Sequence, residues 1–345
     1  MIADARILLR NVIERCAVDP PREFEWFGRR IAVSGGEGGE DDAWRSFLRT
    51  LAIHLYVHVY CPGEVISRQL PPRDFSAAEI RALLRGHSLA NPDRDRWDTG
   101  WTYVGKTRSA FLVRKDGLDF TVASGGFRPR GNAPLRDGCS VRVLVPSERW
   151  FRSPGYMLFY GRRVPRPRAA AIPRTRLYLD LDVAGARQVI GLCRRFNDAR
   201  LPFTLKVAGH PAAYDRCDTV ILFIERDDYI RASEILTGAA MEFRARLRAR
   251  IPAFTKGLAP GVGVSDDPPS GESFGESRCR LLAEGIVRAH DSGAGTVESR
   301  LRKIEETFLR EGISLDRPNL EPGSLEYDPG LWSHWPVPSP SDGAN

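Results

Sequence analysis

The chain has 345 residues, 42% hydrophobic and 28% charged, with a formal net charge of +7. That length buries a large core, and no run approaches the roughly 18 consecutive apolar residues of a membrane-spanning helix. Six cysteines (Cys16, Cys61, Cys139, Cys193, Cys217, Cys279) stand without any CxxC pair, which predicts reduced thiols rather than a disulfide framework. The basic residues number 51, and only Lys106, Lys115, Lys206, Lys256 and Lys303 are lysine. Where arginine is the default cation, a lysine can mark a place that needs an amine able to lose its proton. A basic balance suits an anionic partner, but no nucleic-acid reader motif accompanies it.

The opening stretch, MIADARILLRNVIERC, reads as an amphipathic helix with acids at Asp4 and Glu14, not as a signal peptide. The expectation is a cytoplasmic protein. Residues 1–60 read as helical, with one stripe of Ile7, Leu8, Val12 and Ile13 and another of Trp44, Phe47, Leu48, Leu51 and Leu55. Between them Ser34–Asp42 is an acidic, glycine-rich loop. His54 and His58 have the i, i+4 spacing that can hold zinc, with Cys61 following. No glutamate lies between them as a metalloprotease helix requires. They are taken as packed or surface histidines, and no metal site is expected.

A short helix is predicted near Ala77–Leu84, and from Trp101 the pattern turns to strands. Thr102–Val104, Ala110–Val113, Leu118–Val122, Val141–Val145 and Tyr156–Tyr160 are the candidates, with Asp116-Gly117 as a hairpin turn. Gly125–Gly138 is a long basic loop. The most regular part begins at Arg174. A strand over Thr175–Asp182 is followed by a helix carrying Ala186, Val189, Ile190, Cys193 and Phe196. Phe203, Leu205 and Val207 then alternate with Thr204 and Lys206, a period of two that turns Lys206 away from the apolar face. A loop carrying His210, Tyr214, Arg216 and Asp218 leads into a second strand at Thr219–Ile224 and a helix rich in arginine, read as a solvated face. Ala253–Phe274 reads as a Gly/Pro-rich loop. Ser273 and Glu276 have capping-box spacing before another helix. A last helix spans Val297–Arg310, and a proline-rich tail follows. The fold class is α+β, a mixed or antiparallel sheet flanked by helices, with a mainly helical N-terminal region. The divisions expected are 1–100, 101–320 and a tail over 321–345. There is no GxxxxGKS/T, GxGxxG after a strand, or GxSxG, so a kinase or serine hydrolase has no motif behind it.

Five stretches, TRLYLDLD (Thr175–Asp182), PFTLKV (Pro202–Val207), AAYDRCDTVILFI (Ala212–Ile224), FTKGLAPGVGVSDDP (Phe254–Pro268) and ESFGESRCRLLAEGI (Glu272–Ile286), resemble the HopA-type domain. That domain is found in plant-pathogen type III effectors and in actinomycete clusters for class V lanthipeptides and thioamitides. The resemblance implies a lyase. It would remove phosphate from phosphoserine or phosphothreonine of a ribosomal precursor peptide, leaving dehydroalanine or dehydrobutyrine. A separate kinase makes the phosphoester, and thioether cyclisation could follow in the same pocket. Placed on this chain, the resemblance makes Lys206 the base and Arg216, Arg278 and Arg176 the phosphate-binding cations. Tyr214 or His210 becomes the proton donor, and Asp218 an orienting partner. The related phosphothreonine lyases carry their acid histidine two residues after the lysine; here position 208 is alanine and His210 lies two further on. The implied partners are the phosphorylated peptide and its kinase, with no cofactor, nucleic acid or membrane. The competing readings are a non-catalytic peptide- or kinase-binding module and an effector that binds a host target.

Overall fold

The structure, a computed structural model, describes residues 5–33, 40–61, 74–129, 134–151, 155–163, 174–333 and 335. Residues 34–39 of the acidic loop, four residues of the basic loop and the chain after 335 are among those outside them. The N-terminal part contains α1 (Ala5–Arg15), a small sheet of β1 (Cys16–Asp19), β2 (Glu23–Trp26) and β3 (Arg29–Ala32), and α2 (Glu40–Leu55). α2 ends in a π turn over Tyr56–Tyr60, and α3 (Ala77–Ala90) follows. The small sheet was not anticipated: strands of four residues are too short for alternation to register.

The strands read around Trp101 form a five-stranded antiparallel sheet, order β6-β5-β4-β8-β7. These are β4 (Arg96–Lys106), β5 (Ala110–Lys115), β6 (Leu118–Ala123), β7 (Phe127–Pro129) and β8 (Ser140–Val145). Asp116 and Gly117 turn the β5–β6 hairpin at φ 51° and 80°. The sheet has its own core of Trp101, Val113, Phe127, Val141 and Val143.

The larger sheet has seven antiparallel strands. It is built from β9 (Glu148–Phe151), β10 (Tyr156–Tyr160), β11 (Arg174–Leu179), β12 (Phe203–Ala208), β13 (Val220–Glu225), β14 (Lys256–Ala259) and β15 (Val262–Asp267), in the order β14-β15-β11-β13-β12-β10-β9. Leu177, Leu179, Leu205, Val207, Val220 and Leu222 pack one face against α4 (Val183–Gly191), α5 (Cys193–Asp198), α6 (Tyr229–Gly238) and α7 (Ala240–Phe243). The opposite face, with Tyr178 and Ile221, shares a core with α8 (Phe274–Asp291), α9 (Val297–Arg310), α1 and α2. The alternation read in Phe203–Val207 is thus the division between two cores. The α+β class holds, with antiparallel pairing throughout the described strands.

Two readings change, and part of the tail is packed. Part of the Gly/Pro-rich stretch after Ala253 is the β14–β15 hairpin. β15 holds Gly263, Ser265, Asp266 and Asp267, residues of low strand propensity, yet it is buried throughout between β14 and β11. The arginine-rich segment is not simply a solvated face, because Arg248 and Arg250 both close on buried Asp180, Arg250 Nε at 3.0 Å. The tail is docked as far as Trp335: Tyr327, Trp332 and Trp335 are buried in the first core, and the Tyr327 hydroxyl donates to Asp266 at 2.6 Å. No helix of the described residues is long and apolar enough to cross a membrane.

Ser273 caps α8 through the expected box, its hydroxyl accepting from Glu276 N–H at 3.3 Å and Glu276 accepting from Ser273 N–H at 3.0 Å. Gly275, just inside that start, lets the π turn approach: a Cβ there would stand 2.4 Å from the Tyr60 ring and 2.7 Å from the Tyr56 ring. Gly275→Ala is therefore expected to cost about 1–3 kcal/mol through overpacking, despite alanine's better helix propensity. Urea denaturation checks this; an unchanged midpoint would show that the tyrosines yield freely.

Candidate functional site

On the second face of the large sheet the register forms two cross-strand rows. One runs Leu158–Lys206–Ile221–Tyr178–Gly263, the other Tyr160–Thr204–Phe223–Arg176–Ser265. Lys206 sits in the first, partly exposed, with its Nζ 4.2 Å from the centre of the Tyr156 ring. Among the described residues it makes no hydrogen bond and no ion pair. Burial lowers its pKa below the ordinary 10.5; Asp218 opposes this, and the charges of Arg176 and Arg216 reinforce it.

The loop after β12 brings Arg216 and Asp218 to the same place. Arg216 grips Asp218 in a fork, Nε to Oδ1 at 2.7 Å and Nη2 to Oδ2 at 2.9 Å, and Nη2 also donates to the Tyr56 hydroxyl at 3.2 Å. The guanidinium lies 5.1 Å over the Tyr56 ring. Burial alone would raise the pKa of Asp218, but the hydrogen bonds and charge of Arg216, with Lys206 behind them, hold it below 3.8. Arg176, buried in the second row, donates from Nε to Asp267 at 2.7 Å and lies over Phe223. Arg176 also acts on the Tyr178 hydroxyl, whereas among the described residues the Nη1 group of Arg216 has no hydrogen-bond partner.

Two of the sequence-derived candidates stand elsewhere, and a third has another task. Tyr214 packs with Leu205 and Val207 in the first core, on the opposite face from Lys206, and its hydroxyl lies 2.9 Å from His87 Nε2. The loop folds as a 3-10 turn over Pro211–Asp215 that swings this ring under the sheet. Arg278 is fully buried in α8. Its Nε donates to the carbonyl of Pro318 at 2.7 Å, and its Nη2 donates to the carbonyl of Leu320 and to Glu321. None of these contacts involves the Lys206 cluster; Arg278 fastens the chain after α9 rather than completing a clamp. His210 caps the 3-10 turn, its Nδ1 accepting the Ala212 N–H, with its ring edge-on to Phe75.

Tyr56 was not anticipated. Attention to the i, i+4 pair His54 and His58 passed over the same spacing in Tyr56 and Tyr60, on the side of the helix end that meets the sheet. A π turn at this point is itself a signature of functional positions. Burial raises the pKa of Tyr56, so it remains a phenol. His54 and His58 pack on each other at 4.1 Å beside Trp26 and Phe24, and burial lowers the pKa of His54 to about 4. No group of three or more metal-ligating side chains occurs among the described residues. The constellation of Lys206, Arg216, Asp218, Arg176 and Tyr56 combines an amine whose pKa burial lowers with two guanidiniums and a phenol. Such a set can hold an anion and take a proton beside it.

Asp218 is the sensitive gauge of this arrangement. Its contribution to stability is present above 3.8 and is lost as the pH falls through its lower folded value. Arg216→Ala leaves burial unopposed by the fork, so the Asp218 titration is expected to move above 3.8. Carboxyl carbon NMR reads it directly, and an unmoved titration would show that the fork does not set it.

Residues 148–320 match the model of the HopA1 effector protein family. No curated protein matches the chain. Two solved structures are similar. One is the effector protein from Pseudomonas syringae pv. tomato strain DC3000 (13% identity, TM-score 0.42, 80% of this chain and 96% of that one). The other is the effector protein from Pseudomonas syringae pv. syringae strain 61 (12% identity, TM-score 0.45, 93% and 99%). With half its length matched by that family model, the chain belongs to the HopA1 effector protein family.

Proposed function

We propose that the protein is a lyase that eliminates phosphate from a phosphoserine or phosphothreonine residue of a peptide, leaving dehydroalanine or dehydrobutyrine. The observation that carries the reading is Lys206. It is an amine without an ion pair among the described residues, its pKa is lowered, and it stands within the field of two arginines, each held by its own carboxylate. A structural lysine would normally be paired or fully hydrated.

In the proposed reaction neutral Lys206 takes the Cα proton. The electrons of that bond form the Cα–Cβ double bond, the Cβ–O bond breaks, and phosphate leaves with its electron pair. Arg216 and Arg176 would hold the phosphate, each kept in orientation by its own carboxylate, Asp218 or Asp267. Tyr56, already hydrogen-bonded to Arg216, replaces Tyr214 as the group able to donate a proton to the departing oxygen. Lys206 then gives its proton to water and Tyr56 takes one back from water, which restores the amine and the phenol. The phosphoester must come from a separate Ser/Thr kinase. A ribosomal precursor peptide of the lanthipeptide or thioamitide kind is the substrate class that the sequence resemblance favours.

The test is incubation with a phosphorylated peptide without ATP, followed by mass spectrometry for loss of phosphoric acid. Product that regains a hydroxyl would indicate hydrolysis and sink the proposal, as would the absence of any dehydrated peptide when the kinase is supplied. Lys206→Met and Lys206→Arg are each expected to lower the rate about 10²–10⁴-fold, the range of a positioned general base. If either retains full activity, the base lies elsewhere. The rate should rise with pH through the folded pKa of Lys206, hence at a pH below 10.5. Tyr56→Phe should cost about 10²-fold if the phenol is the acid, and nothing if the arginines alone carry the leaving group.

A further inference from the structure

Resting on that lyase reading, we infer that the protein takes its substrate as an extended strand. Apolar side chains near the phosphorylated residue would lie in the groove between the two sheets. The groove has a volume of about 710 Å³ and is lined on the small-sheet side by Trp101, Phe120, Val122, Val143 and Val145. On the large-sheet side it reaches Tyr160 and Thr204. Its size is that of a site that encloses side chains rather than a surface dimple.

Three observations select the occupant. First, the groove is continuous with the candidate site. Thr204 lies two residues from Lys206 on the same face of β12, about 7 Å along the strand. A chain with its phosphorylated residue at Lys206 therefore brings a neighbour two or more positions away to the groove. Second, Asp119, Phe120, Thr121, Val122 and Ala123 all line it, so the edge of β6 borders the groove rather than one of its faces. β6 is the last strand of its sheet, and among the described residues its outer edge has no backbone partner. An edge of that kind recognises an extended peptide by adding it as a strand. Third, the charge is right for a phosphorylated chain. Asp119 is paired with Arg114, Asp95 accepts the backbone N–H of Ser147, and Arg163 lies at the large-sheet end.

The test measures binding, so it stands apart from whether elimination occurs. Fluorescence anisotropy on the full-length Lys206→Met protein would compare labelled phosphoserine peptides. Leucines would be placed two and four residues to one side of the phosphoserine, then to the other, against a peptide with alanine at all these positions. Leucine on one side is expected to tighten binding about tenfold. Ala123→Trp and Thr121→Trp change exposed positions and fill the groove; each should erase the preference while circular dichroism stays unchanged. Equal affinity for leucine and alanine peptides, or a preference that survives both tryptophans in folded protein, overturns the inference. Phosphate loss from all the peptides at equal affinity would overturn it while leaving the lyase reading intact. A leucine preference without any phosphate loss from wild type would uphold the groove and sink the lyase.

Discussion

The central constraint is that the seven-stranded sheet has charge built into one of its two covered faces. On β11, β12 and β13 alternate residues, Thr175 apart, belong to an apolar core that needs nothing further. The residues between them include Lys206, Arg176 and Tyr178. Charge in such a place is tolerated only with partners, because desolvation costs more than an isolated ion pair returns. The structure answers nearly every case. Arg176 has Asp267, Arg216 has Asp218, and Arg278 has Glu321 and two carbonyls. Lys206 is the exception among these cations, with an aromatic ring beneath it and like charges nearby.

That exception also fixes what the neighbours can do. A carboxylate bound to Lys206 would hold its proton on. Here Asp218, whose charge reaches Lys206, spends both oxygens on Arg216. The fork therefore orients a cation and keeps a carboxylate from quenching the amine. Tyr56 adds a hydroxyl from the opposite layer, and its position depends on Gly275 leaving room at the start of α8.

How much of this was legible in the sequence follows from the range of each signal. The face of Lys206 was legible because a strand's period of two is local. The α8 cap and the Asp116-Gly117 turn were legible because each is a contact within four residues. Arg216 beside Asp218 lay within a single loop. What failed was long-range or irregular. The resemblance places Arg278 among the phosphate-binding cations, but helical phase turns it toward residues 318–321. Tyr214 was assigned from loop membership, and a 3-10 turn sent its ring to the other core. β15 was hidden by glycine, serine and aspartate, which tertiary burial overrode. Tyr56 meets Arg216 across 160 positions of sequence, and no local pattern carries such a contact.

The role found for Arg278 has a consequence for how the molecule comes into being. Its buried charge is balanced by the chain after α9, and the segment beyond adds Tyr327 on Asp266 and two tryptophans in the core. α8, which closes over the charged face and carries the glycine that admits Tyr56, therefore has its buried Arg278 fully partnered only once residues 318–321 are available. A ribosome emits chains from the N-terminus, and contacts of large sequence separation form late. The amine, the fork and the phenol all exist in a nascent chain of some 300 residues, but not yet as a set. The cluster thus waits on residues 318–321, and shorter nascent chains hold these side chains only in pieces.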